Sequence, residues 1–341
     1  VGTKDRLYIN INGERFDDIS DMLSLPYGED LCGRGVSPCD FDNDGLQEIY
    51  VSNYRLDENL LWDFRDGMFV NIAESAGVNG VLVDGYYGHT IGSAWADFDN
   101  DGDLDLFCAN LAHPRYIKFS NKSMCYINNN DSERFSDIRF DLGFKFEETH
   151  SDPVWFDYDL DGEQELYITS IYPNRRSFLY TRTTVDGGDK RSYTDITYEA
   201  GVRVFNGWGT AVADFDNDGD IDLFVCSGSG VRLFENKTNT GGEKNFIQLK
   251  FERGACPKLC EAGIRGILRG DDGSIQVREV VLGRGTTSQD SVTMYFAAPN
   301  PGIEYHLTII LPGSDRDRDR EEISIPGIPP GTILNWTLPQ K

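Results

Sequence analysis

Carboxylate side chains recur along this chain in four short loops that share one spacing. The loops start at Asp40, Asp97, Asp157 and Asp214, and each has acidic residues at positions 1, 3, 5 and 9 and a glycine at position 6. A hard cation such as Ca²⁺ takes six to eight oxygen ligands, and alternate residues of a tight loop can point their side chains at one centre. The spacing therefore predicts about four calcium sites.

In each loop we expect the carboxylates at positions 1, 3 and 5, the main-chain carbonyl at position 7 and the acid at position 9 to bind the ion. The predicted metal ligands are Asp40, Asp42, Asp44, Leu46, Glu48, Asp97, Asp99, Asp101, Asp103, Asp105, Asp157, Asp159, Asp161, Glu163, Glu165, Asp214, Asp216, Asp218, Asp220 and Asp222. The glycine reaches the positive φ that turns the chain back. An EF-hand would close with Glu at position 12 between helices, whereas these loops run into apolar, strand-forming segments. A plain Asp-Asn-Gly turn is the alternative for one loop, but not for four alike.

The loops belong to a longer repeat. Their first residues are separated by 57, 60 and 57 positions, and a second motif keeps the same interval. In this motif an aromatic residue precedes Asp or Asn by two positions and Ile by three, at Phe16, Phe69, Phe135 and Tyr193. Each period reads as two hairpins, and four strands per period predict the blades of a β-propeller. Residues 1–20 supply only the second hairpin of a unit.

The segments before the second and fourth loops, 88–97 and 206–214, are rich in small residues. Small residues suit the crowded strands nearest a propeller axis, so we expect these segments to be innermost strands. After about residue 245 the acidic loops stop and alternating β-like segments follow. We therefore divide the chain into propeller repeats at 1–245 and a β-rich segment at 246–341. If the C-terminal strands join the ring, the all-β propeller has about six or seven blades.

The charge excludes several classes of partner. The 341 residues carry a formal net charge of -25, and four bound Ca²⁺ ions would bring it to about -17. So acidic a surface argues against nucleic acids and anionic membranes. No stretch approaches the ~20 apolar residues of a membrane span, so no membrane insertion is expected. The chain begins at Val1 without Met or a signal-like segment, which is typical of a processed product or a fragment.

Cysteines and glycosylation sequons favour a secreted, extracellular protein. The candidate disulfide pairs are Cys32 with Cys39, Cys108 with Cys125 and Cys256 with Cys260, with Cys226 left over and buried free thiols as the alternative. The sequons predict glycosylation at Asn121, Asn130, Asn236 and Asn335.

These motifs resemble a known family. The acidic loops with their following apolar segments resemble FG-GAP/VCBS repeats, the calcium-bearing blades of integrin-α-like propellers. The C-terminal segment, with Gln276, the stretch 283–291 and Leu311-Pro312, is similar to a divergent ASPIC/UnbV segment. Its residues Phe296-Ala-Ala-Pro299 stand where that segment has Phe-Gly-Leu-Gly. Together these features resemble the cartilage-acidic-protein-like family, which implies a secreted, calcium-stabilised propeller used in recognition or matrix contacts.

Three functions are compatible with this pattern. The first is a non-catalytic recognition, adhesion or matrix module whose calcium ions stiffen the blades and whose partner is an extracellular protein or glycan. The second is a structural subunit that assembles with copies of itself into an extracellular filament, sheath or surface layer. The third is a propeller enzyme of the lyase or cyclase type, for which His89 with Tyr86 and Tyr87, and His113 with Arg115 and Tyr116, would be the groups to test. Because the sequence does not show that these groups share a pocket, we assign no catalytic residue.

Overall fold

The computed structural model describes residues 5–23, 31–112, 117–129, 134–145, 147–184, 191–239, 245–252, 261–286, 288–313 and 320–337. These residues form an almost entirely β structure, which confirms the predicted fold class. The helices are one turn each, a 3-10 helix at Ser20–Met22 and an α-helix at Ala73–Ala76. No helix in these ranges is long and apolar enough to span a membrane.

Four successive sheets repeat one antiparallel meander and are numbered here as blades 1 to 4. Blade 1 comprises β3 (Cys32–Cys39), β4 (Glu48–Tyr54), β5 (Leu60–Arg65) and β6 (Met68–Asn71). Blade 2 comprises β7 (Thr90–Ala96), β8 (Asp105–Asn110), β9 (Met124–Asn128) and β10 (Phe135–Asp137). Blade 3 comprises β11 (His150–Phe156), β12 (Glu165–Ser170), β13 (Phe178–Thr184) and β14 (Arg191–Asp195). In the described residues blade 4 has three strands, β15 (Gly207–Ala213), β16 (Asp222–Ser227) and β17 (Gly230–Phe234). An N-terminal hairpin, β1 (Tyr8–Ile11) and β2 (Arg15–Asp18), forms a separate two-stranded sheet.

The first strands of the blades lie side by side, in the order β3, β7, β11, β15. This confirms the expectation that the two segments rich in small residues are innermost strands. Gly92 of β7 shows why small residues are needed, because a Cβ there would lie 2.6 Å from the carbonyl oxygen of Ser151 on β11. Neighbouring backbones can approach this closely only without side chains between them.

Interblade cores are built from aromatic side chains on the faces of adjacent sheets. Trp95 of blade 2 contacts Tyr50 of blade 1 edge to face, with ring centroids 6.1 Å apart. Trp155 of blade 3 stacks on Phe98 of blade 2 at 5.2 Å. Such pairs add to the free energy gained by burying the large ring surfaces. The blades therefore depend on each other for their cores.

The C-terminal strands form two further sheets with a different topology. Their bounds are β18 (Phe246–Glu252), β19 (Arg265–Gly270), β20 (Ile275–Glu279), β21 (Met294–Ala297), β22 (Tyr305–Ile310), β23 (Glu322–Ile328) and β24 (Thr332–Thr337). The strand orders are β21-β18-β24, in which β18 and β24 run parallel, and β20-β19-β22-β23. The two sheets share one apolar core that includes Leu249, Phe296 and Leu307. Six or seven blades were expected only if the C-terminal strands join the ring. In the described residues these strands form two sheets that pack on one another and do not continue the series of meanders.

One loop of this C-terminal segment, described at residues 283–286 and 288–291, lies among the four inner strands, and we call it the axial loop. The carbonyl oxygen of Gly285 accepts a hydrogen bond from the Val36 N–H of β3 at 3.3 Å. Thr286 donates its hydroxyl to the Ile91 carbonyl of β7. Ser288 donates to Asp152 of β11 at 2.8 Å, and Asp290 accepts from the Val212 N–H of β15 at 3.1 Å. The axial loop therefore contacts every blade.

Candidate metal centres

The four acidic loops lie at equivalent places, each joining the first and second strands of its blade. In each loop three carboxylates approach one another so that one oxygen from each lies within 4.8 Å of the others. The groups are Asp40, Asp42 and Glu48; Asp97, Asp99 and Asp101; Asp157, Asp159 and Glu165; and Asp214, Asp216 and Asp218. This arrangement brings together residues that are up to eight positions apart, as the spacing predicted. The remaining predicted ligands belong to the same four loops.

Two left-handed residues give each loop its curvature. The glycine at position 6 has φ of 96° at Gly45, 106° at Gly102, 95° at Gly162 and 106° at Gly219, as expected. Position 4 also has positive φ, between 56° and 61°, at Asn43, Asn100, Leu160 and Asn217. Asn tolerates this conformation better than most residues, so its recurrence at position 4 of three loops is a sequence signal for this turn.

Hydrogen bonds hold each first carboxylate in place. In loops 2, 3 and 4 the two oxygens of the position-1 Asp accept the N–H groups of positions 5 and 6; in loop 3 these distances are 3.2 Å to Asp161 and 2.9 Å to Gly162. In loop 1 Asp40 accepts the N–H of Gly45 at 3.1 Å. The position-9 acid closes the loop from the other end, as when Glu165 accepts the Tyr158 N–H at 3.1 Å. These bonds orient the carboxylates inward before any ion arrives.

Several of these carboxylate oxygens are buried and have no hydrogen-bond partner in the described part of the chain. They are Asp40 Oδ1, Glu48 Oε1, Asp105 Oδ2, Asp159 Oδ1 and Asp220 Oδ1. Burying an unpaired ionised oxygen is costly unless a cation or a donor compensates it. Clustered oxygen donors of this kind fit a calcium ion, which prefers carboxylate and carbonyl ligands.

The pKa values of the first carboxylates show the same cost of buried negative charge. Burial and the nearby Asp99 and Asp101 carboxylates raise the pKa of Asp97 to about 7, against a smaller lowering by Arg278. Burial and the same kind of like-charge repulsion raise the pKa of Asp157 to about 7. Both shifts show that the metal-free cluster disfavours its own negative charge, which a bound cation would stabilise.

Neighbouring loops are linked side by side. Asn43 of loop 1 donates to Asp103 of loop 2 at 3.2 Å, and Asn100 of loop 2 donates to Glu163 of loop 3 at 3.0 Å. The position-7 side chains of Asp103 and Glu163 therefore bridge neighbouring blades. The predicted ligand at this position is the main-chain carbonyl, which these hydrogen bonds do not use. Ordering one loop would help to position the next.

Arginines of the C-terminal segment reach the loops, and the sequence did not predict this contact. Arg320 pairs with Asp40 at 2.9 Å. Arg265 donates to Asn43 and to the Asp40 carbonyl, and forms a buried ion pair with Glu279 at 2.8 Å. At loop 4, Gln248 donates to Asp214 at 2.6 Å. More than thirty positions separate Gln248 from Asp214 and more than two hundred separate Arg265 from Asp40, so no local pattern could have indicated these contacts.

The structure corrects two of the predicted disulfides. Cys32 and Cys39 lie at opposite ends of β3, so their Cα atoms are roughly 23 Å apart at the rise of an extended strand. Cys108 pairs in register with Met124 and Cys125 with Phe107, so the two cysteines face opposite sides of the sheet. Cys32, Cys39, Cys108, Cys125 and Cys226 are all free thiols. Cys256 and Cys260 lie outside the described residues.

Two of the predicted glycosylation sites are also wrong for a folded protein. Asn121 is buried, and its amide both donates to the carbonyl and accepts from the N–H of Val81, at 2.7 and 2.8 Å. The amide nitrogen of Asn236 donates to the carbonyls of Tyr158 and Ile221. Glycosylation needs this nitrogen to be accessible. Asn335 is exposed on β24 and remains a predicted site, whereas Asn130 lies outside the described residues.

His89, one of the two histidines considered for catalysis, occupies a structural position, and so does His150. His89 is buried, accepts the Arg55 N–H at 3.0 Å and packs on Tyr54. Burial lowers the pKa of His150 to about 3, and its Nδ1 lies 2.8 Å from the Ser123 hydroxyl. His113, Arg115 and Tyr116 lie outside the described residues, so the pairing of His89 with His113 stays untested.

Comparison with known proteins supports the repeat assignment. Residues 40–108 and 97–168 match the family model for an FG-GAP-like repeat. The chain is 29% identical over 224 residues to cartilage acidic protein 1 of Xenopus tropicalis, covering 64% of this chain and 32% of that protein. It is 28% identical over 223 residues to the Homo sapiens protein of that name, with the same coverage. The Mus musculus protein is 28% identical over 282 residues, covering 76% of this chain and 41% of the relative.

The chain thus spans from 32% to 41% of the length of these relatives. The predicted FG-GAP repeats and the resemblance to cartilage acidic proteins are confirmed. The similarity of the C-terminal segment to ASPIC/UnbV remains a prediction.

Proposed function

We propose that this chain, an FG-GAP-repeat protein similar to cartilage acidic protein 1, is a secreted, non-catalytic recognition or matrix module stiffened by calcium. One observation carries the proposal, namely the four equivalent clusters of preorganised carboxylates. Their buried oxygens without hydrogen-bond partners need a cation, and extracellular calcium is abundant enough to fill sites of modest affinity. The name of the relatives places them in cartilage, which favours an extracellular role here.

In this function the ions act on structure. When bound, Ca²⁺ would supply positive charge that offsets part of the negative charge of each cluster. The position-1 and position-9 acids of this chain hold the loops closed, and Asn43 and Asn100 transmit that order between blades. A rigid row of blades presents a fixed surface, which lowers the conformational entropy lost when an extracellular protein or glycan binds.

Calcium binding is tested by isothermal titration and by thermal melting in calcium and in excess chelator. We expect several sites per chain and a melting temperature that falls in chelator, because the metal binds only the folded state. Recognition is tested separately by capture of labelled protein on arrays of matrix proteins and glycans, with and without calcium. An unchanged melt in chelator would reject calcium as the stiffening ion, and hydrolysis or elimination of an array glycan would reject a non-catalytic role.

A further inference from the structure

The outward face of blade 4 is open, unlike the same face of the other blades. The aromatic residue two positions after the loop's last acid is Tyr50, Phe107 or Tyr167 in blades 1 to 3, and each is at most 2% exposed. The equivalent Phe224 is 37% exposed. Phe224 pairs in register with Leu233 and Cys226 with Val231, so these side chains share one face, and all are exposed.

In the covered blades this face packs against the next blade, as where Trp95 of blade 2 contacts Tyr50 of blade 1, and against a turn of its own blade. In blade 1 the turn after the fourth strand folds back, and Tyr50 donates its hydroxyl to the Val78 carbonyl at 2.9 Å. In blade 3 Tyr167 likewise donates to the Val202 carbonyl at 3.0 Å. Blade 4 has no fourth strand in the described residues, so nothing equivalent covers Phe224 there, and β17 pairs only with β16.

A second position in blade 4 lacks the cover found elsewhere. Phe41, at position 2 of loop 1, is 1% exposed and packs on Phe135, 5.3 Å between ring centroids. Phe135 is the motif aromatic on the outermost strand of the following blade. The equivalent of Phe41 in loop 4 is Phe215, which is 48% exposed. In blade 1 this place is filled by the motif aromatic of the following blade, whereas Phe215 has no such cover among the described residues.

This chain carries such a hairpin with its motif aromatic exposed. In the hairpin β1–β2, Phe16 is the equivalent of Phe135 and Tyr193, which are 7% and 3% exposed, yet Phe16 is 68% exposed. Tyr8 lies on the same face of the hairpin and is also exposed. The hairpin is attached to blade 1, where Leu23 bridges to Phe69, at the opposite end of the row of blades from blade 4.

We propose that the N-terminal hairpin of a second copy of this chain docks on the outward face of blade 4. Phe16 and Tyr8 of one copy would cover Phe215, Phe224 and Leu233 of the next, because each of these side chains leaves apolar surface exposed. Both halves of the contact are on one chain, at opposite ends. The contact is therefore heterologous and generates either a closed ring or an open filament.

The test is sedimentation velocity of the full chain in calcium at roughly 1 to 100 μM, the range in which a contact of micromolar affinity populates assemblies. We expect wild type to form species larger than the 38.3 kDa chain. Phe16→Asp blocks the hairpin and Leu233→Glu blocks blade 4, and each variant alone should sediment as a monomer. Matched controls are Phe140→Asp and Leu82→Glu, at apolar residues that are 75% and 59% exposed elsewhere on the chain.

The decisive measurement mixes the two blocked variants in equal amounts. Phe16→Asp retains an intact blade 4, and Leu233→Glu retains an intact hairpin, so the mixture should form a particle of twice the chain mass and nothing larger. Wild type that stays monomeric over the whole range would overturn the proposal. So would assemblies that survive both substitutions, or loss of assembly with Leu233→Glu but not with Phe16→Asp, since blade 4 would then bind another occupant. Melting in calcium checks that each variant is folded.

Discussion

Asp97 offers the sharpest test of the metal centres, because replacing it with Asn removes charge while nearly preserving shape. Its side chain is fully buried, and its oxygens accept the N–H groups of Asp101 at 3.1 Å and Gly102 at 3.3 Å. Burial first, and then the neighbouring carboxylates, raise its pKa from 3.8 to about 7. In Asp97→Asn we expect the response to calcium to fall and the metal-free protein to become more stable.

The two effects have separate magnitudes. Above pH 7 the buried charge of a carboxylate with this pKa shift lowers the free energy of unfolding by at most about 4 kcal/mol, and replacing Asp with neutral Asn removes that cost. Asn can accept only one of the two hydrogen bonds, which removes about 1 kcal/mol. The metal-free variant should therefore be more stable than wild type by roughly 2–3 kcal/mol. A calcium site with a Kd of about 0.1–1 mM contributes about 0.6–1.8 kcal/mol in about 2 mM Ca²⁺, and the variant should lose that increment.

The assay is urea unfolding at pH 8 in calcium and in chelator, for wild type, Asp97→Asn and Asp84→Asn. Asp84 is an exposed acid on a turn outside the four clusters, so its substitution should change neither quantity. If Asp97→Asn were destabilised in chelator, the buried charge would be stabilising, contrary to the raised pKa of Asp97. If the variant kept the full calcium increment, Asp97 would not be a calcium ligand.

Three further predictions concern pH, the axial loop and the first site. The raised pKa values of Asp97 and Asp157 mean that the metal-free folded state holds protons that the unfolded chain loses above about pH 4. Stability in chelator should therefore fall from about pH 4 to about pH 7, and the calcium increment in melting temperature should be larger at pH 8 than at pH 6, as a pH series of melts will show. Arg284→Met should destabilise the protein by about 3–5 kcal/mol in urea because it leaves buried Asp152 without its 3.2 Å partner, and adding Asp152→Asn should restore part of the loss. Arg320→Ala should tighten calcium binding at loop 1 about fivefold by calorimetry, since it removes a partly buried cation worth about 1 kcal/mol beside Asp40.

The sequence alone determined the loops and the blades. Ligand spacing within a loop is local, so the positions that converge in the clusters could be counted from Asp40, Asp97, Asp157 and Asp214. The repeat interval then implied four strands per unit, and the small residues before loops 2 and 4 indicated the innermost strands. All of these properties depend on contacts between residues close in the chain.

Tertiary structure decided which side of a sheet each cysteine faces and which asparagine side chains are buried. The separation of Cys108 from Cys125 allows a bridge, but their one-residue offset across β8 and β9 turns the two thiols to opposite sides. The sequon at Asn121 gives no sign that its amide is buried against Val81. Strand register and the packing of one blade on the next decide both points, and neither is written in a short motif.

The C-terminal segment shows the same limit over the longest distances. Its β-like alternation was visible, but the parallel pairing of β18 with β24 and the insertion of the axial loop among β3, β7, β11 and β15 were not. Arg284 acquires its role only when Asp152 and Asp290 are brought beside it in a buried pocket. Local spacing could specify ligands because a short loop has few ways to turn, whereas long-range ion pairs depend on the packing of the whole chain.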